Sequence, residues 1–245
     1  MPLLDIQGLT HYFGGLKAVS DFNIKVQTGS IHGLIGPNGA GKTTVFNLIT
    51  GLHVPTNGIV ILDGENIKGK PSYYIARKGI ARTFQNLKLF NKLSVRENIR
   101  VVKPGKYEHQ AEEEQLISLF GLTKYADYRA NDLPYGAQRR LEIARALSIN
   151  PKLLLLDEPA AGMNPAEVDS LNELLKTIMS EFKITILLIE HQMRLVMRLC
   201  HELTVLNFGE VIAQGTPDDI LKNPNVIEAY LGRGGINLRG KRARG

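Results

Sequence analysis

The sequence predicts an α/β protein with a mostly parallel β-sheet, an N-terminal antiparallel subsheet and an inserted helical subdomain. Three largely apolar runs, at residues 31–35, 152–157 and 184–190, are typical of parallel strands that are covered on both faces. Helical patterns separate these runs, as expected for a sheet built with crossover helices. Apolar and polar residues alternate over residues 22–27, which is typical of a half-buried antiparallel strand. We therefore expect the antiparallel subsheet within residues 3–62.

A glycine-rich segment follows the first apolar run. Residues 36–43 read Gly-Pro-Asn-Gly-Ala-Gly-Lys-Thr and match the phosphate-binding pattern G-x-x-x-x-G-K-T/S. A strand-like run precedes the segment and a helix-like run at residues 45–49 follows it, which is the context that the motif requires. We expect the helix to begin near Gly41, so that its positive dipole end faces the phosphates. The segment predicts a P-loop core that binds a nucleoside triphosphate, in preference to an ordinary glycine-rich turn.

Individual residues of this phosphate loop have expected roles. The glycines let the backbone approach an anion closely. Lys42 is expected to bring a positive charge to the β and γ oxygens, the Thr43 hydroxyl to bind Mg²⁺, and Thr44 to donate to the α phosphate. Nucleotide contacts are expected from Gly36, Pro37, Asn38, Gly39, Ala40, Gly41, Lys42, Thr43 and Thr44.

Two carboxylates, Asp157 and Glu158, end the second apolar run. In an open α/β sheet, ligands collect at the carboxyl ends of the strands, where these acids would lie. Side chains alternate along a strand, so the two acids are expected to serve different positions. Asp157 suits the Mg²⁺ shell, mostly through water, which leaves Glu158 to orient or deprotonate the attacking water.

Two further polar residues follow predicted strands. His191 comes after the run at 184–190, where it is placed to bond the γ phosphate or to hold water near Glu158, although a histidine in this position is more often structural. Gln85 follows a strand expected at 80–84 and is a candidate for completing the metal shell and reporting on it to the helical insert.

The character of the chain changes between residues 86 and 131. Ser94 to Glu97 read as a capping box at the start of a helix. A second helix is expected over 108–120, with the acidic run 112–114 on the side that faces water. The predicted organisation is a single domain with its catalytic core at 1–85 and 150–232, a helical subdomain at 86–149 and a basic tail at 233–245.

Composition narrows the possible functions. A chain of 245 residues suits one large α/β domain, and no apolar run approaches the roughly 20 residues that cross a bilayer. The N-terminus lacks the features of a signal peptide, and the single cysteine excludes an internal disulfide and agrees with a reducing cytoplasm. The net charge of +6 depends largely on the last seven residues, which hold four positive charges. We expect no nucleic-acid partner, although contact of the tail with anionic lipid or RNA stays open.

These motifs, in this order, resemble the ATP-binding subunits of ATP-binding-cassette (ABC) transporters over nearly the whole chain. Residues 133–147 resemble the family's signature motif and its helix. Gln85 resembles the glutamine of the family's glutamine loop, residues 161–164 the loop after the catalytic glutamate, and His191 the switch histidine. Phe13, with Tyr12 as a second choice, resembles the aromatic residue that stacks on adenine.

The resemblance implies a head-to-tail dimer that encloses two ATP molecules with Mg²⁺. In such a dimer, signature residues Tyr135 and Gly136 of one subunit cap the nucleotide held by the phosphate loop of the other. The resemblance also implies the functional groups. The catalytic residues would be Glu158 and His191, the metal ligands Thr43, Gln85 and Asp157, and the nucleotide contacts outside the phosphate loop Phe13, Gln85, Tyr135 and Gly136.

Within the family, several sequence segments resemble those of the ATPases of branched-chain amino acid importers. The supporting strings lie at residues 12–19, 82–86, 158–165, 189–193 and 229–232. Such importers use two ATPases, identical or paralogous, with two membrane-spanning permease subunits and an extracytoplasmic substrate-binding protein. The resemblance thus implies a cytoplasmic protein at the inner face of the cell membrane.

The chain also departs from the family pattern. Pro134 replaces the signature serine, Tyr135 stands where a glycine is usual and Ala137 where a glutamine is usual. Asn164 replaces an aspartate, and the helical insert is short for an importer ATPase.

Three alternatives remain beside the importer. A lipid-exporting ABC complex shares the Tyr-Leu-Gly ending, but Arg82 to Gln85 and Tyr135-Gly136 favour the importer. Soluble ABC ATPases that act on DNA or ribosomes carry tandem cassettes or long coiled-coil inserts, which this chain lacks. A GTPase would need a carboxylate to read guanine, and the segment 91–94, Asn-Lys-Leu-Ser, lacks it.

Overall fold

The computed structural model describes residues 1–102 and 110–231, in two β-sheets and their helices. The strands are β1 (Pro2–Phe13), β2 (Leu16–Gln27), β3 (Ile31–Ile35), β4 (Asn57–Leu62), β5 (Glu65–Asn66), β6 (Ile80–Arg82), β7 (Leu153–Asp157), β8 (Thr185–Ile189), β9 (Glu202–Asn207) and β10 (Glu210–Gly215). The helices are α1 (Lys42–Ile49), α2 (Ser72–Arg77), α3 (Val95–Arg100), α4 (Gln110–Leu119), α5 (Tyr135–Leu147), α6 (Pro165–Phe182), α7 (Met193–Leu199), α8 (Pro217–Lys222) and α9 (Pro224–Leu231). The predicted basic tail at 233–245 and the first two residues of the helix predicted at 108–120 lie outside the described residues.

The larger sheet has the strand order β10-β9-β3-β8-β7-β6 and is parallel except for β10. Leu34 of β3 and Asp157 of β7 both pair with Ile189 of β8, so these three strands end at the same edge. The segments that follow them therefore begin side by side. The three predicted parallel strands are confirmed within one or two residues, and this edge carries the phosphate loop, Glu158 and His191.

The smaller sheet is antiparallel, with the order β2-β1-β4-β5, and confirms the predicted N-terminal subsheet. Helix α1 lies between the two sheets, because Phe46 and Ile49 are fully buried in one cluster with Leu4 of β1 and Leu34 of β3. A helix covered on several sides is held firmly. Its N-terminus is thus a fixed point at the edge of the larger sheet.

The helical subdomain lies between β6 and β7, as predicted, and α3 begins with the predicted capping box of Ser94 and Glu97. The expectation that the acidic run 112–114 faces water is wrong for Glu113, which is only 5% exposed. Its carboxylate bonds to Arg96 and Arg100 of α3 at 2.9–3.0 Å. Helical periodicity places Glu113 on the face of Leu116 and Ile117, and α3 supplies the opposite charges that make its burial possible.

His32 of β3 provides a pH-dependent contribution to stability. Its ring is 4% exposed, shares a hydrogen bond of 2.9 Å with Thr204 and has the half-exposed Glu202 carboxylate 3.5 Å away. Burial lowers the pKa of His32 from 6.5 to about 4. Between these two pH values the unfolded chain binds a proton that the folded protein does not, so stability falls as the pH falls.

We expect this linkage to remove about 3 kcal/mol from the free energy of unfolding between pH 6.5 and pH 4. His32→Gln keeps a polar partner for Thr204 but cannot titrate. Urea denaturation at several pH values should show a shallower loss of stability in this variant than in the original protein. Identical pH profiles of the two proteins would contradict the assignment.

Candidate nucleotide-binding site

An open cavity of about 550 Å³ lies at the carboxyl edge of the larger sheet. Several predicted site residues line it: Phe13, Asn38, Gly39, Ala40, Gly41, Lys42, Thr43, Thr44, Gln85 and Glu158. Residues from the ends of β1 and β6 thus meet the phosphate loop and the end of β7. Gly36, Pro37, Tyr135, Gly136, Asp157 and His191 are not among its lining residues.

The phosphate loop packs closely against β2 and β9, and this packing requires glycine at two of its positions. A Cβ at Gly36 would lie 2.0 Å from the carbonyl oxygen of Leu206, and one at Gly41 would lie 2.6 Å from that of Ala18. Gly41 also has a φ of 104°, a conformation that disfavours other residues. Helix α1 begins at Lys42, next to Gly41 as predicted, and its first amides point out of the helix without intrahelical acceptors. The loop and these amides fit a chain of phosphates.

Lys42 lies inside the curve of the loop. Its ammonium group donates to the carbonyl oxygens of Gly36 and Pro37, both at 2.8 Å, and its side chain is buried. Burial lowers the pKa of Lys42, while the carboxylates of Glu158 and Asp157 oppose this shift. The loop backbone and the two acids therefore hold a positive charge where terminal phosphates would lie. Thr43, next in the chain, is exposed in the cavity.

The Glu158 carboxylate lies between the side chains of Gln85 and His191. One carboxylate oxygen accepts a hydrogen bond of 3.2 Å from the Gln85 side chain, and the other is 3.7 Å from Nδ1 of His191. The Glu158 amide donates to Ile189 of β8 at 2.9 Å, and the residue has a φ of 49°. A positive φ is costly for glutamate, so the surrounding contacts must hold this turn. The catalytic roles of Glu158 and His191 stay predictions.

Asp157 forms an ion pair with a residue that is distant in the sequence. Its carboxylate forms a buried ion pair with Arg82 at 3.0 Å, and Arg82 also donates to Asn47 of α1 at 2.7 Å. Burial raises the pKa of Asp157, Arg82 opposes the shift and Glu158 adds to it. The guanidinium group lies over the rings of Phe46 and Phe84. The predicted metal role of Asp157 would therefore be shared with a structural one.

The signature residues lie apart from this cavity within one chain. Tyr135 and Gly136 start α5, with Pro134 as the N-cap, and the Tyr135 side chain is 45% exposed. A Cβ at Gly162 would lie 3.4 Å from the Tyr135 ring, so Tyr135 lies beside the loop that follows Glu158. The exposed start of α5 is free to meet a ligand outside its own chain.

Comparison with known proteins identifies the family. The model of the ABC transporter family matches residues 19–161. The chain belongs to this family. A second model, that of the branched-chain amino acid ATP-binding cassette transporter, matches residues 210–236 at the C-terminal end of the cassette.

Curated relatives are similar to this ABC cassette over nearly their whole length. The high-affinity branched-chain amino acid transport ATP-binding protein BraF of Pseudomonas aeruginosa is 46% identical, over 94% of this chain and 98% of its own. The corresponding LivG of Escherichia coli is 44% identical with the same coverage. The lipopolysaccharide export system ATP-binding protein LptB of Haemophilus influenzae is 34% identical over 95% of this chain and 98% of its own.

Solved structures agree with this assignment. The ADP conformation of MJ1267, an ATP-binding cassette of an ABC transporter, superposes with a TM-score of 0.85 at 30% identity and covers 95% of this chain and 99% of its own. A nucleotide-free ATP-binding cassette from an ABC transporter gives 0.83 at 29% identity and covers 95% of this chain and 100% of its own. In the part of the cassette that the structure describes, no helix has the length and apolar character needed to cross a membrane.

Two buried residues that support the site of this cassette, Arg139 and Glu190, are not among the site residues predicted from the sequence. Arg139 of α5 is fully buried and donates to the carbonyls of Phe84 and Gln85 at 2.8 and 2.9 Å, as well as to Glu142 at 2.9 Å. It ties the signature helix to the loop that carries Gln85. The one available signal was the charged pair at positions i and i+3 of a predicted helix.

Glu190 directly precedes His191, and no sequence pattern singles it out. Its side chain is fully buried and accepts hydrogen bonds from the amides of Ala160, His191 and Gln192 at 2.9–3.3 Å. Burial raises the pKa of Glu190, and these amides oppose the shift. Glu190 thereby joins the loop after Glu158 to the segment that carries His191.

Proposed function

We propose that this chain is the ATP-binding and ATP-hydrolysing subunit of an ABC importer for branched-chain or related amino acids. The observation that carries the proposal is the convergence of the phosphate loop, Gln85 and Glu158 in one cavity, with His191 beside Glu158. The importer assignment is supported by BraF and LivG, which are 46% and 44% identical over nearly the whole chain. LptB, named for lipopolysaccharide export, is 34% identical, so the lipid-exporting alternative has less support.

In the proposed reaction, the loop amides bind the phosphates and Lys42 offsets their charge. Glu158 orients the attacking water and accepts its proton, while Gln85 and His191 hold the carboxylate in place. Thr43, Gln85 and Asp157 would hold Mg²⁺, which, when bound, offsets the charge that develops on the phosphates. The hydroxyl, amide and carboxylate oxygens of these residues are donors that Mg²⁺ prefers.

A complete site requires a second ATPase subunit, either a copy of this chain or a paralogue. Tyr135 and Gly136 do not line the cavity of their own chain, and the start of α5 is exposed. Placed against the phosphate loop of a partner, the N-terminus of α5 would meet the γ phosphate with its positive end. Closure then depends on ATP, because ADP lacks the phosphate that this contact needs.

A membrane-spanning permease would receive this motion at a groove between the core and the helical subdomain. The groove has a volume of about 410 Å³. Its lining includes the exposed apolar side chains of Leu52, Phe90 and Ile149. Phe84 and Lys88, which lie in the same loop as Gln85, also line it. Because one wall belongs to the loop that carries Gln85, a change at the nucleotide can reach the groove. The permease would hold the chain at the inner face of the membrane, and an extracytoplasmic binding protein would deliver the amino acid.

The test combines transport with a matched pair of variants. Leu52 lines the groove, whereas Val54 is exposed in the same loop outside it. We expect Leu52→Arg to reduce co-purification with the permease subunits and leucine uptake at least tenfold, because a charge enters an apolar contact. Val54→Arg should leave both within twofold.

Both variants should retain the ATP turnover of the isolated protein. Equal behaviour of the two variants would contradict the assigned surface. Failure of the reconstituted complex to take up any branched-chain or related amino acid would contradict the proposed cargo.

A further inference from the structure

Phe208 stands out because nothing in the fold requires its aromatic ring. It lies at the turn between β9 and β10, and 87% of its surface is exposed. Its φ of 45° is a conformation that glycine or asparagine adopts at lower cost. A bulky apolar side chain at a strained and exposed position does not serve the core, which suggests a ligand contact.

The turn is fixed next to the phosphate loop by its backbone. The Gly209 amide donates to the carbonyl of Ala40 at 2.9 Å, and the Ser20 amide donates to the carbonyl of Gly209 at 2.8 Å. A Cβ at Gly209 would lie 2.8 Å from the Ala18 carbonyl, so the packing against β2 is close. Phe208 is therefore held in place relative to the loop that binds phosphates.

Phe208 shares the cavity wall with two other exposed apolar residues, Phe13 and Leu16. Phe13 is 45% exposed and Leu16 is 69% exposed. The Phe13 ring is supported from behind, because it meets the rings of His11 and His53 edge-on at centroid distances of 4.7 and 5.3 Å. The rest of the lining is the polar phosphate loop together with Lys17, Ala18, Gln85 and Glu158, so the cavity has an apolar part and a phosphate-binding part.

We propose that Phe208 contacts the base of the bound nucleotide and, together with Phe13, determines its affinity. The inference rests on the proposed function, since it concerns the same nucleotide. The flat face of an aromatic base would cover the apolar surface that these side chains expose. Base–aromatic contacts contribute substantially to nucleotide affinity. Phe208 thus contributes to nucleotide affinity through the base and is not part of the hydrolytic machinery.

The test compares ATP with inorganic tripolyphosphate, which carries the phosphates without the base. Calorimetric titration of Phe208→Ala should show ATP binding weakened about tenfold and tripolyphosphate binding changed by less than twofold. Phe208→Tyr should restore the affinity for ATP. Tyr128→Ala, which removes another exposed aromatic ring in the helical subdomain, should match the original protein for both ligands.

Each other result overturns the inference. If the original protein binds ATP but Phe208→Ala binds it equally well, the ring does not contact the base. If both ligands weaken equally, Phe208 acts by shaping the phosphate loop. If ATP affinity is unchanged and permease binding is lost, the ring serves a protein partner. If the original protein binds no ATP, the proposed function fails as well.

Discussion

Glu158→Gln is expected to lower the rate of ATP turnover by about three orders of magnitude. General acid–base catalysis typically contributes 10²- to 10⁴-fold, and an amide cannot accept the proton of the attacking water. The variant side chain keeps nearly the same shape and stays beside Gln85 and His191. Removing a negative charge near the phosphates should leave ATP affinity unchanged or increase it. Turnover is measured by phosphate release, and affinity by titration with ATP.

Glu181→Gln is the matched control for this prediction. Glu181 is exposed near the end of α6, and the same substitution there removes the same charge. We expect its turnover to remain within twofold of the original. A Glu158→Gln protein that still hydrolyses ATP at the original rate would remove Glu158 from its proposed role.

Asp157→Asn is expected to destabilise the fold by about 3 kcal/mol, because it leaves a buried guanidinium group without its counter-charge. The side chains of Arg82 and Asp157 are only 6% and 2% exposed, and they are 3.0 Å apart. Arg82 keeps its bond to Asn47, which limits the loss. Denaturation with urea in the absence of nucleotide isolates this effect from metal binding.

A double variant measures the interaction energy between Arg82 and Asp157. Arg82→Met should pack between Phe46 and Phe84, and combined with Asp157→Asn it removes both charges. We expect the double variant to lose less stability than the sum of the two single variants. As a control, Asp63→Asn breaks the exposed pair with Lys152 and should change stability by less than about 0.5 kcal/mol. Strict additivity at Arg82 and Asp157 would show that the pair is not coupled.

Much of the fold and the centre of the site could be predicted because their determinants are local. The phosphate loop needs glycines at fixed spacing, and the structure shows why for Gly36 and Gly41, which are pressed against Leu206 and Ala18. The meeting of Glu158 with Gln85 and His191 follows from parallel strands that end at one edge. Apolar runs reveal such strands directly.

The burial of Glu113 and Asp157 could not be predicted, because their charged partners lie more than ten residues away in the sequence. Glu113 reads as part of a solvated acidic run until α3 brings Arg96 and Arg100 against it. Asp157 reads as a metal ligand alone until β6 places Arg82 beside it. In each case a tertiary contact, rather than a local pattern, determines whether the charge is buried.

The structure of one chain does not test the expected contribution of a second subunit. The structure places Tyr135 and Gly136 outside the cavity of their own chain, which leaves their proposed contact with a partner's nucleotide to experiment. Pro134 cannot supply a side-chain hydrogen bond at the start of α5, so the helix amides alone would make that contact.

The most direct test is the mass of Glu158→Gln protein by analytical ultracentrifugation with Mg²⁺ and either ATP or ADP. It is run alone and with any paralogous ATPase that its genome encodes beside it. We expect twice the monomer mass in ATP, with two nucleotides bound, and the monomer mass in ADP. Protein that binds ATP yet keeps the monomer mass in ATP, both alone and with the paralogue, would contradict a site shared between two subunits.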